Sequence, residues 1–198
     1  MSLTAKQGPP PDQIEEGNHQ GVCVAVIDLG TQYSEKFKKE QAKVVIVWEF
    51  PDFPLPNNDG YKVLTKEYTA SLGEKTTLYT DLVAWRGRAF TPEELDGFNL
   101  KAILGANCLV NVIKNERGYA TPTTVAKLPK GLGLKMPSYQ LLYDMDEDKT
   151  IPTGIEDTPR FAWIAAKIKK SREYLGLVNP PESDDEQSLP ATDEDIPF

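Results

Sequence analysis

Residues 73–87, GEKTTLYTDLVAWRG, decide the fold because they place a helix among segments that otherwise have the sequence pattern of strands. Apolar residues recur here at i, i+4 and i+7, the spacing of one stripe on a helix: Leu78, Leu82 and Trp85. Thr76 or Thr77 is a suitable N-cap, and Gly87 is a suitable end because glycine readily adopts the left-handed conformation found after helices. These residues therefore predict a short amphipathic helix.

A second, shorter helix is predicted directly after the first, in the stretch TPEELDGF. Thr91 is the expected N-cap, and Pro92 stands at the first helical position, where a missing amide hydrogen is tolerated. Glu94 lies three residues after Thr91 and completes the pattern of a capping box. We expect this helix to have one or two turns.

Strand-like segments lie on both sides of the two helices. They are rich in β-branched residues or alternate in polarity, and they span residues 21–30, 43–54, 61–70, 107–114 and 119–128. We predict that the polar stretch 31–41 is a loop and that Pro51 ends the second strand. Pro122 indicates that the fifth strand lies at an edge of the sheet or contains a bulge. The OB-fold has this order of elements along the chain: three strands, a helical part and two further strands. We therefore predict a mainly β chain: a five-stranded OB-fold barrel with a helical insertion between strands 3 and 4.

The two ends of the chain differ in composition from this central part. Residues 1–20 contain three consecutive prolines and few large apolar groups, so we expect a flexible leader. Residues 159–174 have apolar residues at helical spacing and a basic C-terminal half, which predicts a further helix. Residues 179–198 are mostly Pro, Ser and acidic residues, so we expect a disordered acidic tail. The predicted OB-fold domain with its C-terminal extension is thus residues 21–178.

Charge is distributed unevenly along the chain. The sequence has 22 basic and 30 acidic residues and a net charge of −8, but residues 182–198 alone hold seven acidic residues and no Lys or Arg. The rest is nearly neutral, which permits a basic face. The sequence has no run of about 18 apolar residues and no basic-then-apolar signal at its start. We therefore expect a soluble protein that stays in the cytoplasm, with no membrane partner.

Several classes of catalytic site lack their usual residues. His19 is the sole histidine and lies in the polar leader, which argues against Ser-His-Asp, Cys-His and histidine-based zinc chemistry. Cys23 and Cys108 each lie within an apolar strand, as reduced core thiols do. The sequence has no Walker loop, GxGxxG or HExxH motif, so we expect no enzyme, no cofactor and no metal. One alternative is a metal-dependent nuclease built on carboxylates such as Asp28, Glu49 and Glu67.

Cations and aromatic residues in the predicted barrel indicate a surface for single-stranded nucleic acid, which needs aromatic faces for bases and cations for phosphates. In the third strand, alternation puts Lys62, Lys66 and Tyr68 on one face, which we predict lies outside the core. Trp48 also fits a core position, and the two arginines of WRGRAF also fit ordinary surface residues. The loop between strands 4 and 5, which OB-folds use in binding, adds cations and a tyrosine. The candidates are Lys43, Trp48, Lys62, Lys66, Tyr68, Arg86, Arg88, Lys114, Arg117, Tyr119 and Lys127.

The last six residues, DEDIPF, resemble the C-terminal tip of bacterial single-stranded-DNA-binding proteins, in which acidic residues precede Ile-Pro-Phe. The resemblance implies that Phe198 and its α-carboxylate enter an apolar pocket with a basic rim on a partner enzyme. Pro197 would limit the entropy lost, and the acids would steer the approach. The implied partner-binding residues are Asp193, Glu194, Asp195, Ile196, Pro197 and Phe198. The alternative is a solvated tail that only aids solubility.

The body of the chain is similar to a family of phage-encoded single-stranded-DNA-binding proteins over roughly residues 21–130. The similarity rests on VIDLGTQ, VVIVWEFPD, KEYTASLGEKTTLYTDLVAWRGRAFTPEELDGFNL and ILGANCLVNVIKNERG. It implies an OB-fold and sequence-nonspecific DNA binding in phage replication or recombination, inside the bacterial host. A homodimer is a further expectation, because edge strands of such barrels often pair.

These resemblances predict two linked activities for the chain. The body binds single-stranded DNA, and the tail recruits replication, repair or recombination enzymes. We also expect the tail, which reaches about 25 Å as a flexible chain, to compete with DNA for the basic face. The alternative is an interaction protein that imitates the tail and diverts host enzymes without binding DNA itself.

Overall fold

The chain is mainly β in the computed structural model, which describes residues 13–35, 37–56 and 59–178. Its strands are β1 (Gly17–Ser34), β2 (Lys39–Pro54), β3 (Tyr61–Thr69), β4 (Asn107–Lys114), β5 (Ala120–Lys127) and β6 (Leu141–Tyr143). Its α-helices are α1 (Thr77–Arg86), α2 (Pro92–Asp96), α3 (Thr153–Glu156), α4 (Ala162–Ile168) and α5 (Arg172–Val178). Short 3₁₀ turns span Leu100–Ile103 and Pro159–Phe161. The predicted tail at 179–198 and residues 1–12 of the predicted leader lie outside the described residues.

All six strands belong to one sheet, in the order β3-β2-β1-β4-β5, with β6 beside β1. β6 pairs with β1 in parallel, and the other described pairings are antiparallel. The prediction of a mainly β chain with helices between the third and fourth strands is confirmed. The described strand pairs leave the sheet open between β3 and β5, where the Lys66 ammonium donates a hydrogen bond to the Thr123 carbonyl.

β1 and β2 form a longer hairpin than the sequence suggests. Their pairing continues to Ser34 opposite Lys39, so the prediction of a loop over residues 31–41 is wrong. Polar residues fit these strands because the hairpin extends beyond the core, and Tyr33 near its tip is 57% exposed. β2 also continues past Pro51, although its pairing with β3 becomes irregular after Phe50, as expected where a proline cannot donate to the ladder.

α1 begins and ends as the sequence predicts, and α2 begins as predicted. The Thr76 hydroxyl accepts a hydrogen bond from the α1 backbone at 3.3 Å, and Gly87 ends the helix with φ at +70°. Thr91 caps α2 within a complete capping box. The apolar stripe of α1 is buried in a first core cluster, against the β2 side chain of Trp48. α1 therefore covers part of one face of the sheet.

The C-terminal segment packs on the opposite face of β1 and β2 and forms a second core cluster. Val45 and Val47 of β2 have 0% exposure, as do Ile155 of α3 and Ile164 of α4. Both faces of these strands are therefore buried, which explains why their sequences are nearly continuous apolar runs.

The helix predicted at residues 159–174 is interrupted after α4 and resumes as α5. Ser171 starts the new helix, because its hydroxyl accepts a hydrogen bond from the Tyr174 amide at 3.2 Å, as an N-cap does. Ser171 lies against Gly30 of β1, where φ is +64° and an added Cβ would come within 2.7 Å of the Ser171 Cβ. Glycine at this position thus allows β1 and the start of α5 to approach closely.

The sheet begins earlier than the predicted leader boundary, because β1 starts at Gly17. Ile14 is only 2% exposed. The Gln13 side chain accepts a hydrogen bond from the Ala120 amide at 2.6 Å and donates one to the Gly118 carbonyl at 3.1 Å. Residues 13–16 are therefore tied to the connection between β4 and β5. In the described part of the chain, no helix has the length and apolar character needed to cross a membrane.

Candidate nucleic-acid interface

The face of β3 that carries Lys66 and Tyr68 lies in the core, so the prediction that it lies outside is wrong. Tyr68 is 3% exposed, and the Lys66 side chain is 16% exposed. Asp81 of α1 makes this burial possible: its Oδ2 lies 2.6 Å from the Lys66 Nζ and accepts a hydrogen bond from the Tyr68 hydroxyl at 2.8 Å. Burial, together with the Asp81 carboxylate, holds the pKa of Tyr68 well above its usual range. These two candidates offer neither a ring face nor a free ammonium to a nucleic acid.

Trp48 occupies the core position that the sequence also allowed. Its side chain has 0% exposure, and its ring centroid lies 6.1 Å from that of Trp85 on α1. The Trp85 Nε1 donates a hydrogen bond to the Asn107 carbonyl at 2.9 Å. Trp48 therefore presents no face on which a base could stack.

Lys43 and Lys62 lie near opposite ends of the β2–β3 pair. Lys43 donates a hydrogen bond to the Thr69 hydroxyl at 3.0 Å. The Lys62 Nζ lies 6.0 Å from the ring centroid of Phe53, a distance at which cation–π attraction is weak. Both side chains are partly exposed, and Lys62 also borders the groove described below.

Arg86 and Arg88 converge on a single carboxylate rather than on open solvent. Arg88 makes two hydrogen bonds to Glu94, at 2.9 and 2.7 Å. Arg86 also pairs with Glu94, and its guanidinium carbon lies 4.2 Å from the Phe90 ring centroid. The two guanidiniums hold the pKa of Glu94 well below its usual range. The α1–α2 connection is therefore a structural clamp in which both arginines already have an anionic partner.

The turn between β4 and β5 carries three exposed candidates on an ordered backbone. The Asn115 side-chain oxygen accepts hydrogen bonds from the amides of Arg117 and Tyr119, both at 3.0 Å. The Lys114 amide donates a hydrogen bond to Glu16 at 2.8 Å. Tyr119 is 55% exposed, and the side chains of Lys114 and Arg117 are exposed as well. This turn therefore presents an exposed aromatic ring and two exposed cations.

A groove runs from this turn between β3 and the end of the 3₁₀ turn that precedes α4. It comprises two adjoining cavities of about 330 and 390 Å³. Both cavities are lined by the residues that define what we call the β3–turn groove: Val63, Leu64, Tyr119, Ala120 and Arg160. Sequence reasoning missed Arg160, because no local pattern relates it to a turn some forty residues earlier. Its only signal was a basic residue beside an aromatic one, in Pro159–Phe161.

Three cations stand at the groove and its rim. Among the described residues, Lys114, Arg117 and Arg160 form no ion pair with a carboxylate. Each can therefore approach an anionic ligand without first breaking an ion pair within the protein. An apolar floor with an aromatic edge and unpaired cations suits a ligand that combines flat rings with phosphates.

Lys127 lies away from this groove, at the other end of β5. Seven residue steps separate it from Ala120, or about 23 Å along an extended strand. It lines a separate cavity of about 530 Å³ beside the segment that follows β5, with Leu132 and Leu134. The structure therefore does not bring Lys127 together with the turn candidates.

The carboxylates proposed above for a nuclease site each bind a different partner within the protein. Glu49 has 0% exposure and accepts a hydrogen bond from the Ser138 amide at 2.7 Å. Glu67 pairs with Lys167, and Asp28 accepts a hydrogen bond from the Gly30 amide at 2.8 Å. Across residues 13–35, 37–56 and 59–178, no group of three His, Cys, Asp or Glu side chains could hold a metal ion. Both cysteines are free and buried, which confirms the prediction of core thiols.

A scan of protein-family models finds no match for this chain, and a search of curated proteins finds none either. The partner-binding residues predicted in the tail, from Asp193 to Phe198, lie outside the described residues.

Proposed function

We propose that this protein is a non-enzymatic, sequence-tolerant single-stranded-DNA-binding protein of phage replication or recombination. The observation that carries the proposal is the β3–turn groove, where exposed Tyr119 and unpaired Arg160 line the same two cavities beside the cations of the β4–β5 turn. Bases stack on the tyrosine ring, and Lys114, Arg117 and Arg160 replace counterions on the phosphates. Binding is tolerant of sequence because every base has a face that can stack.

The strand order supports an OB-fold as the framework for this activity. In that fold, strands 1, 2 and 3 are paired in sequence, strand 4 pairs with strand 1, and strand 5 approaches strand 3; a helix joins strands 3 and 4. We take β1 to β5 as these strands, with the Lys66 to Thr123 hydrogen bond across the seam that would complete the barrel. OB-folds bind nucleic acid on the face of strands 2 and 3 and with the 1–2 and 4–5 loops.

The C-terminal segment restricts where DNA can bind on such a fold. It covers the outward-facing side chains of Val45 and Val47 on β2 with fully buried apolar contacts. The open parts of the usual surface are the tip of the β1–β2 hairpin, where Tyr33 is 57% exposed, and the β4–β5 turn with the groove beside it.

The tail supplies the second half of the proposal. The DEDIPF stretch has the acidic residues and the Ile-Pro-Phe of the tip that partner enzymes bind in bacterial single-stranded-DNA-binding proteins. A protein that covers single strands and carries such an end delivers its partner enzymes to the exposed DNA.

The test is a titration of the full chain with fluorescein-labelled oligothymidine of about 16 nucleotides, the upper end of the site sizes of OB-folds. Fluorescence anisotropy should give saturable binding with a log–log salt slope of about −2, if three phosphates are contacted. Tyr119→Ala should weaken binding by about 1–3 kcal/mol, and Arg117→Ala should make the slope less steep by about 0.7.

Arg88→Ala is the matched control, because Arg88 is exposed but already bound to Glu94. Its affinity should equal that of the wild type. Absence of binding at low salt would overturn the proposal and leave the tail-mimic alternative. Equal losses in Arg88→Ala and Arg117→Ala would show that binding is diffuse and does not use the groove.

A further inference from the structure

We infer that the path of the single strand continues from the β3–turn groove onto α4, where Trp163 is a second stacking platform. This inference rests on the proposed function and extends its site to the C-terminal segment. It assigns that segment a direct part in DNA binding, in addition to covering the sheet.

Trp163 differs from the other two tryptophans in its exposure. Trp48 is 0% and Trp85 7% exposed, whereas Trp163 is 39% exposed on a helix whose opposite side is buried. The helix does not need a large ring at an exposed position for its own packing, since Ile164, Ala165 and Ile168 supply its buried side. An indole ring at the surface is the best of the stacking faces that a protein can offer to a base or cation.

The position of Trp163 is continuous with the groove. Arg160 lines both groove cavities and precedes Trp163 by three residues, about one helical turn. On the β3 side, Val63 and Thr65 border the groove, and Glu67 is the next residue with the same orientation. Lys167 of α4 pairs with Glu67, which holds this helix against the strand just beyond the groove.

The ring of Trp163 lies beside the ammonium that ties α4 to β3. The Lys167 Nζ lies 5.7 Å from the ring centroid, and the same ammonium forms an ion pair with Glu67. A base stacked on this ring would therefore lie close to a cation and to the edge of the groove.

The charge of this surface selects a polyanion as the ligand. Arg160 lies in the 3₁₀ turn just before α4, and Lys170 lies in the turn just after it. Within the described residues, Arg160 and Lys170 form no ion pair with a carboxylate. The helix that carries Trp163 is thus flanked by two unpaired cations.

The experiment uses the full chain, oligothymidine of about 16 nucleotides, and two substitutions at one position. Trp163→Ala should weaken binding on the order of 10-fold, the loss of one stacked base. Trp163→Phe retains an aromatic face, so its affinity should stay within about 3-fold of the wild type. DNA should quench the tryptophan fluorescence of the wild type, and this quenching should disappear in Trp163→Phe because Trp48 and Trp85 are buried.

The outcomes separate this inference from the function on which it rests. If Tyr119→Ala weakens binding but Trp163→Ala does not, DNA uses the groove alone and the inference is overturned while the function stands. Quenching that persists in Trp163→Phe would also overturn it. If the wild type does not bind oligothymidine, the proposed function and its extension fall together. Unchanged circular dichroism and thermal unfolding of both variants would show that any loss is local.

Discussion

Asp81 provides the counter-charge for a lysine inside the core, and its removal should destabilise the protein strongly. The Lys66 and Asp81 side chains are 16% and 7% exposed, with 2.6 Å between Nζ and Oδ2. The same Asp81 oxygen accepts the hydrogen bond of the buried Tyr68 hydroxyl at 2.8 Å. Replacement of Asp81 by alanine therefore leaves one buried charge and one buried hydroxyl without their partner.

The expected loss follows from the cost of an uncompensated buried charge. Removing one partner of a buried ion pair typically lowers the free energy of unfolding by about 3–5 kcal/mol. Leaving a buried hydroxyl without a hydrogen-bond partner lowers it by about 1–3 kcal/mol. Since the two groups share one acceptor, their costs overlap. We expect Asp81→Ala to lower the free energy of unfolding by about 4 kcal/mol, and Asp81→Asn by slightly less because the amide oxygen can still accept from Tyr68.

Urea unfolding at pH 7, followed by circular dichroism, measures these differences. The double variant Lys66→Met/Asp81→Asn removes both charges and should recover most of the loss, because no charge then remains buried. Glu35→Gln is the control: its pair with Lys38 is at 3.0 Å, but the side chains are 81% and 73% exposed, so the change should be below about 1 kcal/mol. A loss in Asp81→Ala no larger than that of Glu35→Gln, or a double variant as unstable as Asp81→Ala, would refute the reasoning.

Three further predictions concern stability and reactivity. Burial raises the pKa of Asp28 in the folded protein. A group with a raised native pKa contributes to stability below the ordinary Asp pKa, and this contribution is lost as the pH rises through the native pKa. The substitution Asp28→Asn should therefore raise Tm at pH 7. That gain should shrink as pH falls towards about 4, and a pH-independent difference in differential scanning fluorimetry would contradict it. Burial raises the pKa of Cys23 to about 12 and also raises the pKa of Cys108. Neither thiol should therefore react with Ellman's reagent at pH 8 until urea unfolds the protein. Rapid reaction of the native protein would show that the thiols are not buried. Gly30→Ala should cost about 2–4 kcal/mol, because it combines positive φ with a Cβ placed 2.7 Å from Ser171. Gly118→Ala, at φ of +79° but in open space, should cost only about 1–2 kcal/mol in the same urea assay, and equal costs would mean that the close approach does not matter.

Elements with local signals could be predicted from the sequence. α1 follows from a cap, a stripe and a terminal glycine that all lie within twelve residues, and α2 from a capping box within four. β4 and β5 follow from two alternating runs joined by a short turn, and Pro122 correctly marked an irregularity in their pairing, opposite Val112. The split of the C-terminal helix was missed, although Ser171 is a residue type that caps helices and its hydroxyl accepts a hydrogen bond from the nearby Tyr174 amide.

The candidate site was predicted only in part. The exposure of Lys114, Arg117 and Tyr119 follows from their position in a turn, which is a local property. Arg160 and Trp163 were missed because their relation to the turn depends on how the C-terminal segment folds back on β3. Arg86 and Arg88 were recognised as cations, but Glu94, which neutralises them, was read only as a helix cap.

By itself, the sequence determined the five longer strands, the two short helices between the third and fourth of them, and the acidic stretch with its Ile-Pro-Phe; it did not predict β6 or α3. Only the tertiary structure decided which polar residues are inside. Lys66 and Tyr68 have the composition of a surface, yet a carboxylate on α1 allows them to enter the core. Glu67 meets its cation, Lys167, 100 residues further along the chain. The physical reason is that the energy of a charged side chain depends on its partner, and partners distant in sequence are brought together only by folding.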